Sequence, residues 1–159
     1  MDAESSQALA RLLRRQRIAA LGAMSDAAPL VSMVLFVAVA DLTSFYIHVS
    51  RLAQHTRALL QDPRVGLMIA ESDTGEHDPQ MLSRVSIRGD ATETPPTAAD
   101  YEVAKAAYLE KFPRSAVNFG LGDFMFWRIR PRSARYVGGF GKIFDLEAAD
   151  FRRIASITI

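Results

Sequence analysis

Residues 30–49 read LVSMVLFVAVADLTSFYIHV, and this stretch decides the fold. Leu30 to Ala40 is a run of Val, Leu, Phe and Ala bounded by Asp41, the composition of a long strand. Ser44 to Val49 is a second strand after a short connection. A parallel return would need a crossover of about a dozen residues, so the two form an antiparallel hairpin. Met33 to Ala40 is apolar at every position. Such a strand has core on one face and something other than water on the other. In a chain this short, that cover is a second subunit or a flat ligand.

The elements on either side fit the same architecture. Residues 4–17 carry Leu9, Leu12 and Leu13 at helical spacing, with Arg11, Arg14, Arg15 and Arg17 around them. They predict an amphipathic helix rather than a targeting segment, because Asp2 and Glu4 precede it and no apolar signal core follows. Ile18 to Met24 is a short apolar stretch that ends in a turn at Ser25-Asp26 with Pro29. A helix over Thr56 to Gln61 stops at Asp62-Pro63, and Arg64 to Ala70 is the next strand. Glu71 to Gln80 reads as an exposed loop. Val85, Ile87, Gly89 and Ala91 then alternate with Arg84, Ser86, Arg88 and Asp90. Thr97 and Asp100 resemble a capping box for a helix ending near Phe112, before Pro113. Asn118 to Asp123 is glycine-rich. Phe124–Arg130 and Ala134–Val137 are two strands joined at Pro131, and a helix capped by Asp145 runs from Glu147 to Arg153. Six or seven strands in hairpin order escape open edges most simply by closing. The expected fold is mainly β (α+β): a six- to seven-stranded antiparallel split barrel with peripheral helices, paired as a two-fold dimer.

The chain has 159 residues, which predicts one domain over residues 1–159. Nineteen basic against eighteen acidic residues leave +1, so neither nucleic acid nor another polyanion is an expected partner. The absence of cysteine excludes disulfides, thiolate metal sites and cysteine nucleophiles, and fits a cytoplasmic home. The longest apolar run is eight residues, Met33 to Ala40, far short of the ~20 that a spanning helix needs, so no membrane is expected.

Chemistry concentrates at His48-Val49-Ser50-Arg51-Leu52-Ala53-Gln54-His55-Thr56-Arg57, a polar strand-to-helix junction. Free N–H groups at a helix start suit a phosphate, with Ser50, Thr56, Arg51 and Arg57 as added donors. Equally, Ser50 serves as a plain cap and the arginines as solvated charge. His48, His55 and His77 lack carboxylates at ligand spacing, so no metal site is expected. Arg84 and Arg88 share an outward strand face, where solvation is the usual role, and Trp127 has the look of core. Gly138-Gly139-Phe140-Gly141 permits either a tight turn or close approach of a neighbour. Catalytic residues are not identified by any motif.

Five elements in order then carry a resemblance: the Pro29-to-Phe36 strand, the Ile47-to-Thr56 junction, Asp62-Pro63-Arg64-Val65, Trp127-Arg128-Ile129-x-Pro131, and Arg135-Tyr136-Val137-Gly138-Gly139-Phe140-Gly141. Together they resemble the split-barrel flavin-binding family typified by pyridoxamine 5′-phosphate oxidase, and within it the branch of haem-iron utilisation proteins. The resemblance implies a homodimer with FMN at its interface. Ser32, Met33, Val34 and Leu35 would line the ring; Ser50, Arg51, Gln54, His55 and Thr56 would hold the phosphate; Arg84 and Trp127 would approach the flavin. It implies an FMN-dependent oxidoreductase acting with a small-molecule substrate or electron donor. The alternative is a haem-binding or haem-degrading protein on the same barrel, with His48 or His55 available as an axial ligand. Departures from the oxidase are Ser32 and Val37 where it has arginine and lysine and His55 for a phosphate lysine, which imply a thinner phosphate clamp and weaker FMN binding; the lack of an Arg-x-His element after Trp127 argues against pyridoxamine phosphate as substrate.

Overall fold

The computed structural model describes residues 1–139 and 141–157. Helix α1 (Ala3–Arg15) leads into strands β1 (Ile18–Ser25), β2 (Ala28–Ala38) and β3 (Phe45–Ser50). Helix α2 (Gln54–Gln61), β4 (Arg64–Ala70), β5 (Arg84–Thr94), helix α3 (Tyr101–Lys111), β6 (Phe124–Val137), β7 (Ile143–Glu147) and α4 (Ala148–Ala155) follow. All pairings are antiparallel, in the order β3-β2-β1-β4-β5-β6-β7, and β3 also pairs with β6. That last contact closes a six-stranded barrel with β7 as an extra strand on β6, the mainly β architecture expected from the hairpin order.

The hairpin β1–β2 turns at Asp26 and Ala27, both with positive φ, so Pro29 lies inside β2 and Ser25 pairs with Ala28. The barrel is filled from alternate positions: Ala19, Leu21, Val34, Phe36, Phe45, Ile47, Val65, Leu67, Val85, Ile87 and Trp127 share one core with Leu9 and Leu13 of α1 and Phe151 of α4. Arg14 donates to the carbonyls of Ala155 and Ile157 and so ties α1 to the end of α4.

Several boundaries differ from expectation. The two predicted strands around Pro131 are one strand of 14 residues. Its inward residues switch from Met125, Trp127 and Ile129 to Ala134 and Tyr136, a change from odd to even numbers, because the register with β5 shifts between Arg88 and Gly89. Proline lacks the ladder N–H and sits at this bulge without cost. Gly89 is there because the bulge brings Arg130 O onto the place where a Cβ would stand. Asp145 does not cap a helix: it lies in β7 and binds Arg135 at 2.9 Å, while Glu147 and Asp150 form the capping box of α4. Nor does the Thr97 box form. Asp100 stands at the start of α3 with no side-chain cap bond; its carboxylate accepts from Tyr46 and Arg128 instead. Gly139 and Gly141 have φ of +100° and +80°, and Gly138 N–H donates to Lys142 O, which makes this segment a turn. Phe140, within the motif singled out above, lies outside the described residues.

The second face of the 33–40 strand has a different cover from the one predicted. Leu35, Val37 and Val39 pack under the chain's own α3, against Ala104, Tyr108 and Phe112, with Tyr46 and Phe126 completing a second cluster. Only the first half of β2 is bare. Val31 and Met33 are each 70% exposed.

Candidate functional site

The bare half of β2 has two open aspects, a face and an edge. β2 pairs with β3 only at Phe36, Val37 and Ala38; from there β3 swings away to β6. Residues 28–35 are therefore paired with β1 alone. Phe36 N–H donates to Arg17 O on the β1 side. By antiparallel alternation, Val31, Met33 and Leu35 then direct their N–H and C=O groups away from β1, along the free edge.

On the outer face, register sets four strands side by side. Met33 lies opposite Ala20, which lies opposite Met68; Val31 lies opposite Gly22, Gly22 opposite Gly66, and Gly66 opposite Arg88. A cavity of about 430 Å³ is lined by Ile18, Ala20, Ser32, Met33, Met68 and Ala70. A second, also about 430 Å³, is floored by Gly22 and Gly66, with Met24, Pro29, Arg64 and Arg88 around them. The two meet at Val31. A Cβ on Gly66 would find nothing within 4 Å, so the paired glycines make a flat backbone floor. Arg64 is held by Asp62 and Arg132 by Asp90, whereas Arg88 has no ion pair among the described residues. Arg84, further along the same face of β5, turns its Nη1 to the carbonyls of Gln80 and Leu82.

At the junction, the hydroxyls expected to receive a phosphate are engaged within the chain. Thr56 is fully buried and its Oγ1 donates to Ser50 O at 2.6 Å. Ser50 Oγ donates to Asp123 Oδ2 at 2.8 Å and accepts from Leu52 N–H. Ser50 thus closes the turn before α2 rather than capping it; the cap position is Ala53, which offers no side-chain bond. Arg51 leans toward Glu93, 3.6 Å away, and Gln54 is exposed. His55 Nε2 is buried without a partner, and burial lowers its pKa. Ser32 and Met33 line a cavity to which no junction residue contributes, although α2 packs on both β1 and β2.

Two residues lie inside. Trp127 is 3% exposed within the barrel core, its Nε1 unpartnered. Val34 is likewise inward. His48 stacks on Phe119 with ring centroids 3.9 Å apart and is flanked by Tyr108, Phe124 and Phe126. Desolvation pushes its pKa down to about 4, helped by the charge of Lys105. The ring is packed among aromatics, with its Nδ1 buried and unpartnered among the described residues. None of the three histidines lines either cavity of the bare face.

The Gly22–Gly66 floor and Arg88 were missed from sequence. Facing glycines are visible only once the β1–β4 register is known, and Arg88 read as ordinary solvated charge.

The sequence profile described as pyridoxamine 5′-phosphate oxidase matches residues 5–138. The chain is 39% identical over 119 residues to the chloroplastic heme oxygenase HOZ of Arabidopsis thaliana, covering 73% of this chain and 34% of that protein. It is 26% identical over 114 residues to heme oxygenase HutZ of Vibrio cholerae, covering 67% of this chain and 61% of that one. The chain thus spans about a third and about three-fifths of these two relatives. A solved structure of a heme binding protein from Mycobacterium smegmatis superposes with a TM-score of 0.84 at 23% identity, over 96% of this chain and 62% of that one.

Proposed function

Given that the chain belongs to the pyridoxamine 5′-phosphate oxidase family, we propose that it binds haem on the bare face of β1, β2 and β4, between two copies of itself. The observation that carries this reading is the exposure of Val31 and Met33 beside a flat glycine floor. A macrocycle with an apolar plate and two carboxylates needs such a floor, together with cations at its rim. Val31, Met33 and Met68 would meet the plate, and Arg88 and Arg84 the propionates. A second copy would seal the plate from water, as expected for an exposed apolar face. Both curated relatives carry heme oxygenase in their names, which supports haem over flavin as the ligand.

When bound, haem supplies the redox chemistry. This chain's part is to exclude water and fix the plate. No histidine lines either cavity of the bare face, so the reading assigns no axial donor there.

FMN is the second reading. The free edge of β2 and the start of α2, uncapped by any side chain, favour it, since a flavin uses backbone groups for its ring and N–H donors for its phosphate. Against it, the Ser50 and Thr56 hydroxyls are already donated within the chain, the first to the Asp123 carboxylate.

Haemin titration separates the two. The expected result is a saturable Soret band at one haem per protomer, lost in Met33→Glu, together with a sedimenting dimer that the same substitution splits. Loss of the band on adding a reductant in air would extend the reading to haem breakdown. A folded protein whose spectrum with haemin is that of free haemin, and which instead quenches FMN fluorescence, would replace haem by flavin.

A further inference from the structure

A cavity larger than either of those on the bare face lies away from it. It has a volume of about 820 Å³ and sits over the outer side of β3 and β6, between the start of α3, the start of α4 and the β2–β3 connection. This is within the ~300–1,000 Å³ typical of small-molecule sites. Three guanidinium groups line it, from Arg128 and Arg130 on β6 and Arg152 on α4, against the carboxylates of Asp41 and Asp100.

Both carboxylates are already in use. Asp100 accepts from the Tyr46 hydroxyl and from Arg128 Nη1 at 2.7 Å. These bonds, with the Tyr46 contact foremost, lower the pKa of Asp100 and keep it ionised. Asp41 accepts from both the N–H and the hydroxyl of Thr43, at 3.1 and 2.7 Å, with Arg152 near enough to favour its charge. Tyr46 is driven up to about 12 by burial and by Asp100, so it stays a neutral donor. Arg128 is bound on one side only: its Nε is sealed from solvent with no partner. Arg130 and Arg152 have no ion pair among the described residues. Val39, Pro131 and Val103 add an apolar part to the lining, and Val103 is 72% exposed.

We propose that this cavity binds a carboxylate carried on an apolar body, with Arg130 and Arg152 gripping the carboxylate and the Val39–Val103 wall covering the body. Guanidinium forks from two elements suit the two oxygens of a carboxylate, and exposed valine beside them gives the rest of the molecule a place out of water. A bare inorganic anion would use the arginines and leave the wall wet. The site does not depend on the haem reading: it shares no lining residue with either cavity of the bare face.

Octanoate is the probe, titrated calorimetrically into the full chain at low ionic strength, with inorganic phosphate as competitor. The expected result is saturable binding that weakens at least tenfold in the Arg130→Gln, Arg152→Gln double variant. Val103→Glu, at an exposed position that leaves the fold alone, should weaken it similarly, and phosphate should not displace it. The proposal is overturned by the absence of saturable binding to a folded protein, by equal affinity in all variants, or by phosphate displacing octanoate at matched concentration. Octanoate binding that survives the arginine substitutions but vanishes in Met33→Glu would place the ligand on the other face and also overturn it.

Discussion

His48 makes stability depend on pH in a range where carboxylates have little say. Its ring lies between Phe119, Tyr108 and Phe126, with Nδ1 buried and unpartnered, and its pKa falls from 6.5 to about 4 on folding, mainly through desolvation. The sign follows from proton counting. Between about 6.5 and 4 the unfolded chain holds the proton and the native chain does not, so acid favours unfolding. Each pH unit in that window costs about 1.4 kcal/mol, which amounts to about 2 kcal/mol between 6.5 and 5 and about 3 over the whole window. His55 acts with the same sign, since its pKa is also lowered by burial. The informative quantity is therefore a difference between two proteins. Urea unfolding of the natural chain and of His48→Phe at pH 7.5 and pH 5 should show the natural chain losing about 2 kcal/mol more than the variant, because phenylalanine keeps the stack and removes the proton. Parallel losses in the two proteins would mean that His48 is solvated or protonated in the native state, and the account of its enclosure would be wrong.

Gly89→Ala should lower the free energy of unfolding by about 3 kcal/mol, the upper end for overpacking, because the new methyl meets the Arg130 carbonyl rather than a yielding side chain. Gly66→Ala, facing open space, should stay within about 0.5 kcal/mol, and equal urea midpoints for the two variants would contradict the bulge geometry. Thr56→Val removes the bond to Ser50 O and should cost about 1 kcal/mol with an unchanged denaturant slope; an unshifted midpoint would show that this bond does not hold the junction.

The hairpin order was legible because its signals are local. Alternation at Val85, Ile87, Gly89 and Ala91 gave β5 its inward face, and Asp62-Pro63 ended α2 where the structure ends it. What failed depends on distant partners. Pro131 punctuates the sequence like a strand break, but β5 on one side and β7 on the other hold the strand together across it. β7 itself, Ile143–Glu147, is short and half polar, and is a strand only because β6 offers it an edge. The cover over Leu35 and Val37 was misjudged because nothing local shows that α3 folds back onto them. At the site, the residues of β2 and the junction were read from pattern and resemblance. Whether their hydroxyls were free was not readable, since Asp123, which accepts the hydrogen bond from Ser50, lies 73 positions away.

Among the described residues, β6 is the one strand that pairs with three others, β3, β5 and β7. Its place late in the chain has a kinetic consequence. β3 must wait through more than seventy residues of synthesis before its closing partner emerges, and until then an apolar ribbon has no second neighbour along most of its length. Such long-range closure makes for slow folding and leaves the nascent chain open to self-association, so yield should depend on temperature and expression rate more than the native stability would suggest.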